Sequence, residues 1–241
     1  MIGLVTGANR GLGFELVKEG LKHGHTILAG CRRSEKASDL YQLKEQYGET
    51  LQILELDVTN VEQVKQAAET VQKSLGYVDF LFNNAGVLFE SKYDKGDCIA
   101  ELDVDKFRKT LDVNITGLAI VLKYFIGLLY KSKSACIMNI TSEAGHLGAD
   151  GYLYLAYSVS KYGANMYTQK VKNYLEQERA DKGIRVYMIH PGRMDTVMGK
   201  ENAQIHPSET AEGLFDILEK KKEIPPMEVP FINYKGEAMP H

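Results

Sequence analysis

The sequence predicts an α/β fold: a single domain built on a doubly wound parallel sheet of about seven strands, with helices on both faces. Three observations carry this. Short apolar, β-branched runs alternate with longer segments of helical periodicity. The short runs lack internal polar alternation, as strands buried on both faces do. Helical segments separate them, and strands joined this way are parallel, because a parallel return needs a long crossover. With 241 residues, 44% hydrophobic and 25% charged, the chain buries a sizeable core and fits one large domain better than several small ones.

The first strand is Ile2–Val5. It runs into Thr6-Gly7-Ala8-Asn9-Arg10-Gly11-Leu12-Gly13 and then a helix whose apolar face includes Phe14, Leu16, Val17 and Leu21. Thr26–Ala29 is the second strand and leads into Gly30-Cys31-Arg32-Arg33. Gln52–Leu56, Val78–Phe82, Ala135–Ile140 and Arg185–Ile189 are the remaining strand candidates, with helices filling the gaps. The most apolar run, Leu118–Tyr130, contains Lys123 and reads as a buried helix; it falls short of the ~20 apolar residues that cross a bilayer. Glu219–Glu223 followed by Pro225-Pro226 reads as a solvated helix end leading into an extended tail. No repeat or low-complexity linker interrupts the alternation.

Composition narrows the function classes. The formal charge of −3 is near neutral for this size, and no basic stripe marks a nucleic-acid partner. Cys31, Cys98 and Cys136 are odd in number and far apart, which argues against a disulfide framework and for a reducing, cytoplasmic setting. Met1-Ile2-Gly3-Leu4-Val5-Thr6 passes directly into the fold, so neither a leader nor membrane attachment is expected. His23, His25, His146, His190, His206 and His241 show no metal spacing with acidic or thiol partners, so no metal site is expected.

The turn after the first strand suits a phosphate. Glycines let the backbone turn sharply and approach a pyrophosphate, and the following helix N-terminus offers unpaired N–H groups and partial positive charge. Its spacing, Gly-x-x-x-Gly-x-Gly over Gly7, Gly11 and Gly13, differs from the common Gly-x-Gly-x-x-Gly. The alternatives are a dinucleotide site that includes Asn9, Arg10 and Leu12, or a purely structural strand-to-helix turn. The end of the second strand meets the adenosine ribose in such folds. No acidic residue stands there to accept a free 2′-hydroxyl, whereas Arg32 or Arg33, with Arg10, suits a 2′-phosphate. NADP(H) is therefore expected over NAD(H), unless Arg32 and Arg33 are only surface charges opening a helix.

Thr6–Gly13, Asp57-Val58, Asn83-Asn84-Ala85-Gly86, Asn114, Ser142, Tyr157-x-x-x-Lys161 and Pro191-Gly192, in this order, resemble the classical short-chain dehydrogenase/reductase family from end to end. Within it the chain looks closest to C-factor-like and sniffer-like carbonyl reductases, through Cys31–Ala37, Leu51–Asp57 and Phe231–Gly236. The resemblance implies a Rossmann-type sheet and hydride transfer between NADP(H) and a small carbonyl or alcohol substrate. It assigns Asn114, Ser142, Tyr157 and Lys161 to catalysis, and Gly7, Asn9, Arg10, Gly11, Leu12, Gly13, Cys31, Arg32, Asp57, Val58, Asn84, Ala85, Gly86, Tyr157, Lys161, Pro191, Gly192, Met194 and Thr196 to the cofactor. It further implies a substrate lid over about 193–206 and a homodimer or homotetramer.

The chemistry stands on its own terms. Tyr157 and Lys161, four apart, share one helix face, and a nearby ammonium is expected to lower a tyrosine pKa from about 10 toward neutrality, making it a usable general acid. By itself the spacing is weak, since the chain has 14 tyrosines. The resemblance implies that Ser142 hydrogen-bonds the substrate oxygen, the alternative being a cap for the local turn. It also implies that Asn114 holds a water beside the lysine; taken alone, Asn114 reads as a helix-interrupting polar residue.

Two departures from the family pattern bear on specificity. Ser142 and Tyr157 lie 15 residues apart, which implies a two-residue insertion in Glu143–Leu155; Tyr154 lacks a lysine four residues on and is assigned to the pocket wall, and His146 to the surface or pocket rim. Arg193 and Asp195 replace the aromatic and basic residues that relatives carry, and Arg193 is expected to face solvent, a phosphate or an acidic substrate. Two other readings remain at this point: an NADP(H)-binding redox sensor with little turnover, and a sugar epimerase, the latter disfavoured by the glycine spacing and by the lack of a sizeable C-terminal substrate domain.

Overall fold

The computed structural model describes residues 1–91, 96–149, 151–199 and 203–241. Seven strands, β1 (Ile2–Thr6), β2 (Thr26–Cys31), β3 (Leu51–Glu55), β4 (Phe80–Asn83), β5 (Cys136–Ile140), β6 (Arg185–His190) and β7 (Phe231–Asn233), form one sheet in the order β3-β2-β1-β4-β5-β6-β7. All six pairings are parallel. The expected strands are present with shifted ends. Val78 spends its N–H on the Leu128 carbonyl, so β4 starts two residues later than its apolar run. β7, three residues long, is too short for a periodicity signal.

The helices are α1 (Gly11–Lys22), α2 (Ser38–Tyr47), α3 (Val61–Ser74), α4 (Val104–Leu111), α5 (Leu118–Leu129), α6 (Leu155–Glu178) and α7 (Pro207–Leu218). Strand side chains alternate between two cores because successive residues point to opposite faces. Val5, Ile27, Phe80, Phe82 and Met138 pack with Leu16 of α1, Leu40 of α2 and Phe215 of α7 on one face. Leu4, Leu28, Leu81 and Ile137 pack with Val64 of α3, Phe125 of α5 and Leu175 of α6 on the other. Each large side chain removed from water stabilises the fold by roughly 1.5–3 kcal/mol.

A π-helical turn, Asp112–Gly117, joins α4 to α5. The whole run, Val104–Leu129, is 26 residues long and matches a membrane span by length and composition, longer than the Leu118–Tyr130 segment suggested. Its Val121, Leu122, Phe125 and Leu129 side is nevertheless packed into the core beneath the sheet, as in the core helix of a globular domain.

Strand order reverses between β1 and β4. Loops leaving neighbouring strands there run to opposite faces and open a crevice beyond the carboxyl ends. The turns after β1 and β4 line that crevice and are bonded to each other through Asn84.

Candidate active site

The glycine-rich turn is built to approach something closely. Gly7 has φ 65°, which side chains resist, and a Cβ on Gly13 would overlap the Gly7 carbonyl oxygen. Asn84 locks the turn to the neighbouring strand end: its Nδ2 donates to the carbonyls of Thr6 and Gly7 at 2.9 and 3.3 Å. Thr6 Oγ accepts from the backbone N–H groups of Asn84 and Ala85, both at 3.0 Å. At the start of α1, Arg10 makes no side-chain cap, and the first turn carries no acidic residue. Those uncapped N–H groups at the positive end of the helix fit an anionic pyrophosphate. Leu12 is buried in the core and offers the site only its backbone.

The end of β2 divides the residues expected there. Cys31 is buried in the core and its carbonyl accepts from Leu56 N–H; burial also raises its thiol pKa. Its side chain is thus withheld from the cleft. Arg32 and Arg33 are exposed, and among the described residues neither joins an ion pair. Asp57 accepts from the Thr59 N–H and hydroxyl at 3.0 and 2.8 Å, while Val58 is buried against Gly117.

The four residues expected to be catalytic come together around α6. Ser142 Oγ caps the short turn Glu143–Gly145, accepting from Ala144 N–H at 3.2 Å, and also hydrogen-bonds the Tyr157 side chain. The capping role considered for this serine is therefore present. Lys161 is buried, donates to the Ile140 carbonyl at 2.8 Å, and has its Nζ 5.5 Å from the centre of the Tyr157 ring. Asn114 lies in the π turn. Its Oδ1 accepts from Val87 N–H at 2.8 Å, and its Nδ2 donates to the Val87 carbonyl and to Ser160 Oγ. Ser160 Oγ in turn donates to the Tyr157 carbonyl at 2.7 Å. The asparagine side chain thus clamps the β4 loop to α6. A Cβ on Gly86 would contact both Asn114 Oδ1 and Lys161 Nζ, so the amide and ammonium face one small space.

Electrostatics correct one expectation. Burial pushes Tyr157 up to about 12; the Ser142 hydrogen bond works against this and the charge of Glu143 adds to it. Burial pushes Lys161 down to about 8. The lysine therefore does not bring the tyrosine toward neutrality here. Desolvation favours the neutral form of both groups, so the phenol keeps its proton near pH 7.

Four features escaped sequence reasoning. Glu90, in the loop after β4, accepts from the N–H groups of Ala156 and Tyr157 at 2.9 and 3.0 Å. Arg193 donates to Glu143 Oε1 at 2.7 Å, so it pairs with a side chain of the fold. The His190 ring accepts from Glu143 N–H at 3.1 Å through Nδ1, which fixes the neutral tautomer with the proton on Nε2. Gly145 packs directly on α6, where its carbonyl accepts from Asn165 at 2.8 Å. None of these pairs is close in sequence, so spacing carries no signal for them.

The described residues on either side of 200–202, where a lid is expected, are tied to one another. Arg193 carbonyl accepts from Gln204 and Ile205, and Asp195 N–H donates to Ile205; Met194 pairs with Ile205. Thr196 lies over Gly11, where a Cβ would meet its methyl at 3.5 Å, and Thr210 holds the Pro191 carbonyl at 2.7 Å. Gly192 lies against Ile205 and Tyr234. Tyr154 stands at the start of α6 with φ 63°, and His146 is partly buried. Residues 200–202 of the expected lid and 150 of the lengthened segment lie outside the described residues. A cleft of about 400 Å³ is lined by Glu143, His190, Arg193, Tyr234 and Lys235, among others.

Comparison with known proteins agrees with this architecture. A family model described as short chain dehydrogenase matches residues 2–206. The NADPH-dependent pterin aldehyde reductase of Arabidopsis thaliana is 31% identical over 193 residues, covering 80% of this chain and 74% of the relative. The NADPH-bound carbonyl reductase from chicken fatty liver is 27% identical, with TM-score 0.80 over 98% of this chain and 97% of that one. Carbonyl reductase Sniffer of D. melanogaster is 25% identical, with TM-score 0.84 over 99% and 98%. On the extent of the family match and the shared sheet, this chain belongs to the short-chain dehydrogenase family of oxidoreductases.

Proposed function

We propose that the protein is a carbonyl reductase that uses NADPH in preference to NADH. The observation that carries this reading is the Ser142, Tyr157 and Lys161 group beside the uncapped N-terminus of α1. When bound, NADPH supplies the hydride. Tyr157, protonated up to about 12, donates its proton to the developing alkoxide, and Ser142 donates a hydrogen bond to the same oxygen. A phenol that holds its proton suits reduction better than oxidation. Lys161 contributes positive charge and would hold the nicotinamide ribose, and Asn114 ties Val87 to Ser160 beside it.

Preference for NADPH rests on Arg32 and Arg33, exposed at the end of β2 where no carboxylate follows directly. A redox sensor with little turnover is not favoured, because all four residues of the proton-handling group converge. Three cysteines without disulfide partners support a cytoplasmic setting. Exposed Val104, Val159, Met166 and Tyr174 on α4 and α6 support association of like subunits through those helices.

The test is consumption of NADPH, beside NADH, with a panel of aldehydes, ketones and quinones. NADPH-dependent turnover of at least one carbonyl class is expected. No turnover with any of them, despite NADPH binding, would overturn the reading.

A further inference from the structure

His23 and His25 are separated by almost two hundred residues from Glu219, yet folding assembles the three at the end of the sheet opposite the cofactor cleft. α1 runs away from the glycine-rich turn, and His23-Gly24-His25 links its end to β2. Gly24 has φ 75°, a left-handed turn that brings the two imidazoles to 6.2 Å between ring centres. The end of α7 delivers Glu219. Its Oε1 lies 2.8 Å from His23 Nδ1 and 2.8 Å from His25 Nε2. Phe215, one turn earlier on α7, forms an apolar floor with its ring 5.6 Å from His23 and 5.7 Å from His25.

We propose that His23 Nδ1, His25 Nε2 and Glu219 Oε1 form a binding site for a zinc-class divalent cation that ties the ends of α1 and α7 to the start of β2. The three donor atoms lie within 4.8 Å of one another. Two imidazoles and one carboxylate suit zinc, cobalt or nickel and disfavour magnesium and calcium, which demand oxygen ligands.

The distances fit an ion. Tetrahedral zinc, about 2.0–2.1 Å from each donor, sets donors about 3.3 Å apart, so the two nitrogen–oxygen separations of 2.8 Å open by about half an ångström. The protons now shared between the ring nitrogens and Oε1 leave to solvent as the ion enters.

Neighbouring groups complete the arrangement. His23 Nε2 lies 2.9 Å from Glu19 Oε1, the carboxylate–histidine contact that orients a metal ligand. Glu219 Oε2 is held by Lys221 at 2.7 Å, leaving Oε1 to the site. His25 Nδ1 faces the Met1 amino group at 3.4 Å, on the side of the ring away from Glu219.

The experiment uses untagged, full-length protein stripped with EDTA. Titration calorimetry with Zn²⁺ is expected to give one equivalent bound at Kd of about 10⁻⁶ M or tighter. Co²⁺ should give the visible absorption of a tetrahedral site, and Zn²⁺ should raise the melting temperature by several degrees, reversibly with EDTA. His23→Gln and Glu219→Gln should each weaken binding at least a hundredfold, and Glu19→Gln, which keeps all three ligands, about tenfold. NADPH binding by each variant confirms that it is folded. Absence of binding at about 100-fold higher Zn²⁺ than that Kd, or binding that both ligand substitutions leave unchanged, overturns the proposal.

Discussion

Glu90 Oε2 accepts the backbone N–H of Tyr157 at 3.0 Å, while its Oε1 takes that of Ala156 at 2.9 Å. Tyr154, the residue preceding α6, makes no side-chain cap. The loop after β4 therefore supplies the cap that the helix lacks, and with it the orientation of the tyrosine. A carboxylate here also meets the positive helix end. Glu90→Ala is expected to cost about 1–2 kcal/mol of stability and to lower kcat about tenfold with little change in KM for NADPH. Glu90→Gln, which keeps one acceptor, should recover part of both. Wild-type kcat and melting temperature in Glu90→Ala would refute the positioning role.

Lys161 is charged below about 8 and neutral above it, whereas Tyr157 stays protonated to about 12. Carbonyl reduction should accordingly fall as pH rises through about 8, close to tenfold per further unit, with no second fall until far higher pH. Lys161→Arg stays charged throughout, so whatever rate it keeps should lose this limb. A flat wild-type profile across this range, or the same limb in Lys161→Arg, would contradict the assignment.

Arg32 stands exposed where a 2′-phosphate would be met. Arg32→Asp should weaken NADPH binding by about 1.5–3 kcal/mol, the scale of a charge-assisted hydrogen bond, and bring NADH to comparable or better use. Fluorescence titration with both cofactors measures it, and an unchanged ratio of affinities would remove Arg32 from the site.

Gly13 leaves no room for a Cβ beside the Gly7 carbonyl. Gly13→Ala should displace the turn and reduce NADPH affinity at least tenfold while the sheet persists. Circular dichroism beside cofactor titration separates the two effects, and wild-type affinity would show that the close approach is unneeded.

The readable parts of this protein are local ones. The glycine turn, the buried strand runs and Tyr157 with Lys161 announce themselves because their partners lie within a few residues or one helical turn. What remained hidden joins distant segments: Glu90 reaches Tyr157 across 67 residues, and Arg193 reaches Glu143 across 50. Cys31 could be assigned to the cofactor from its place at the end of β2, but only the packed structure turns its side chain into the core. The direction of the Tyr157 shift likewise depends on desolvation, a property of packing that spacing does not encode.

The most direct test of the account is single-turnover carbonyl reduction by Tyr157→Phe, measured beside its NADPH affinity. Loss of the hydroxyl should cut the chemical step by about 10²–10⁴ and leave NADPH binding within a few-fold of wild type. Reduction at a near-normal rate would show that another group supplies the proton and that the Tyr157 assignment is wrong.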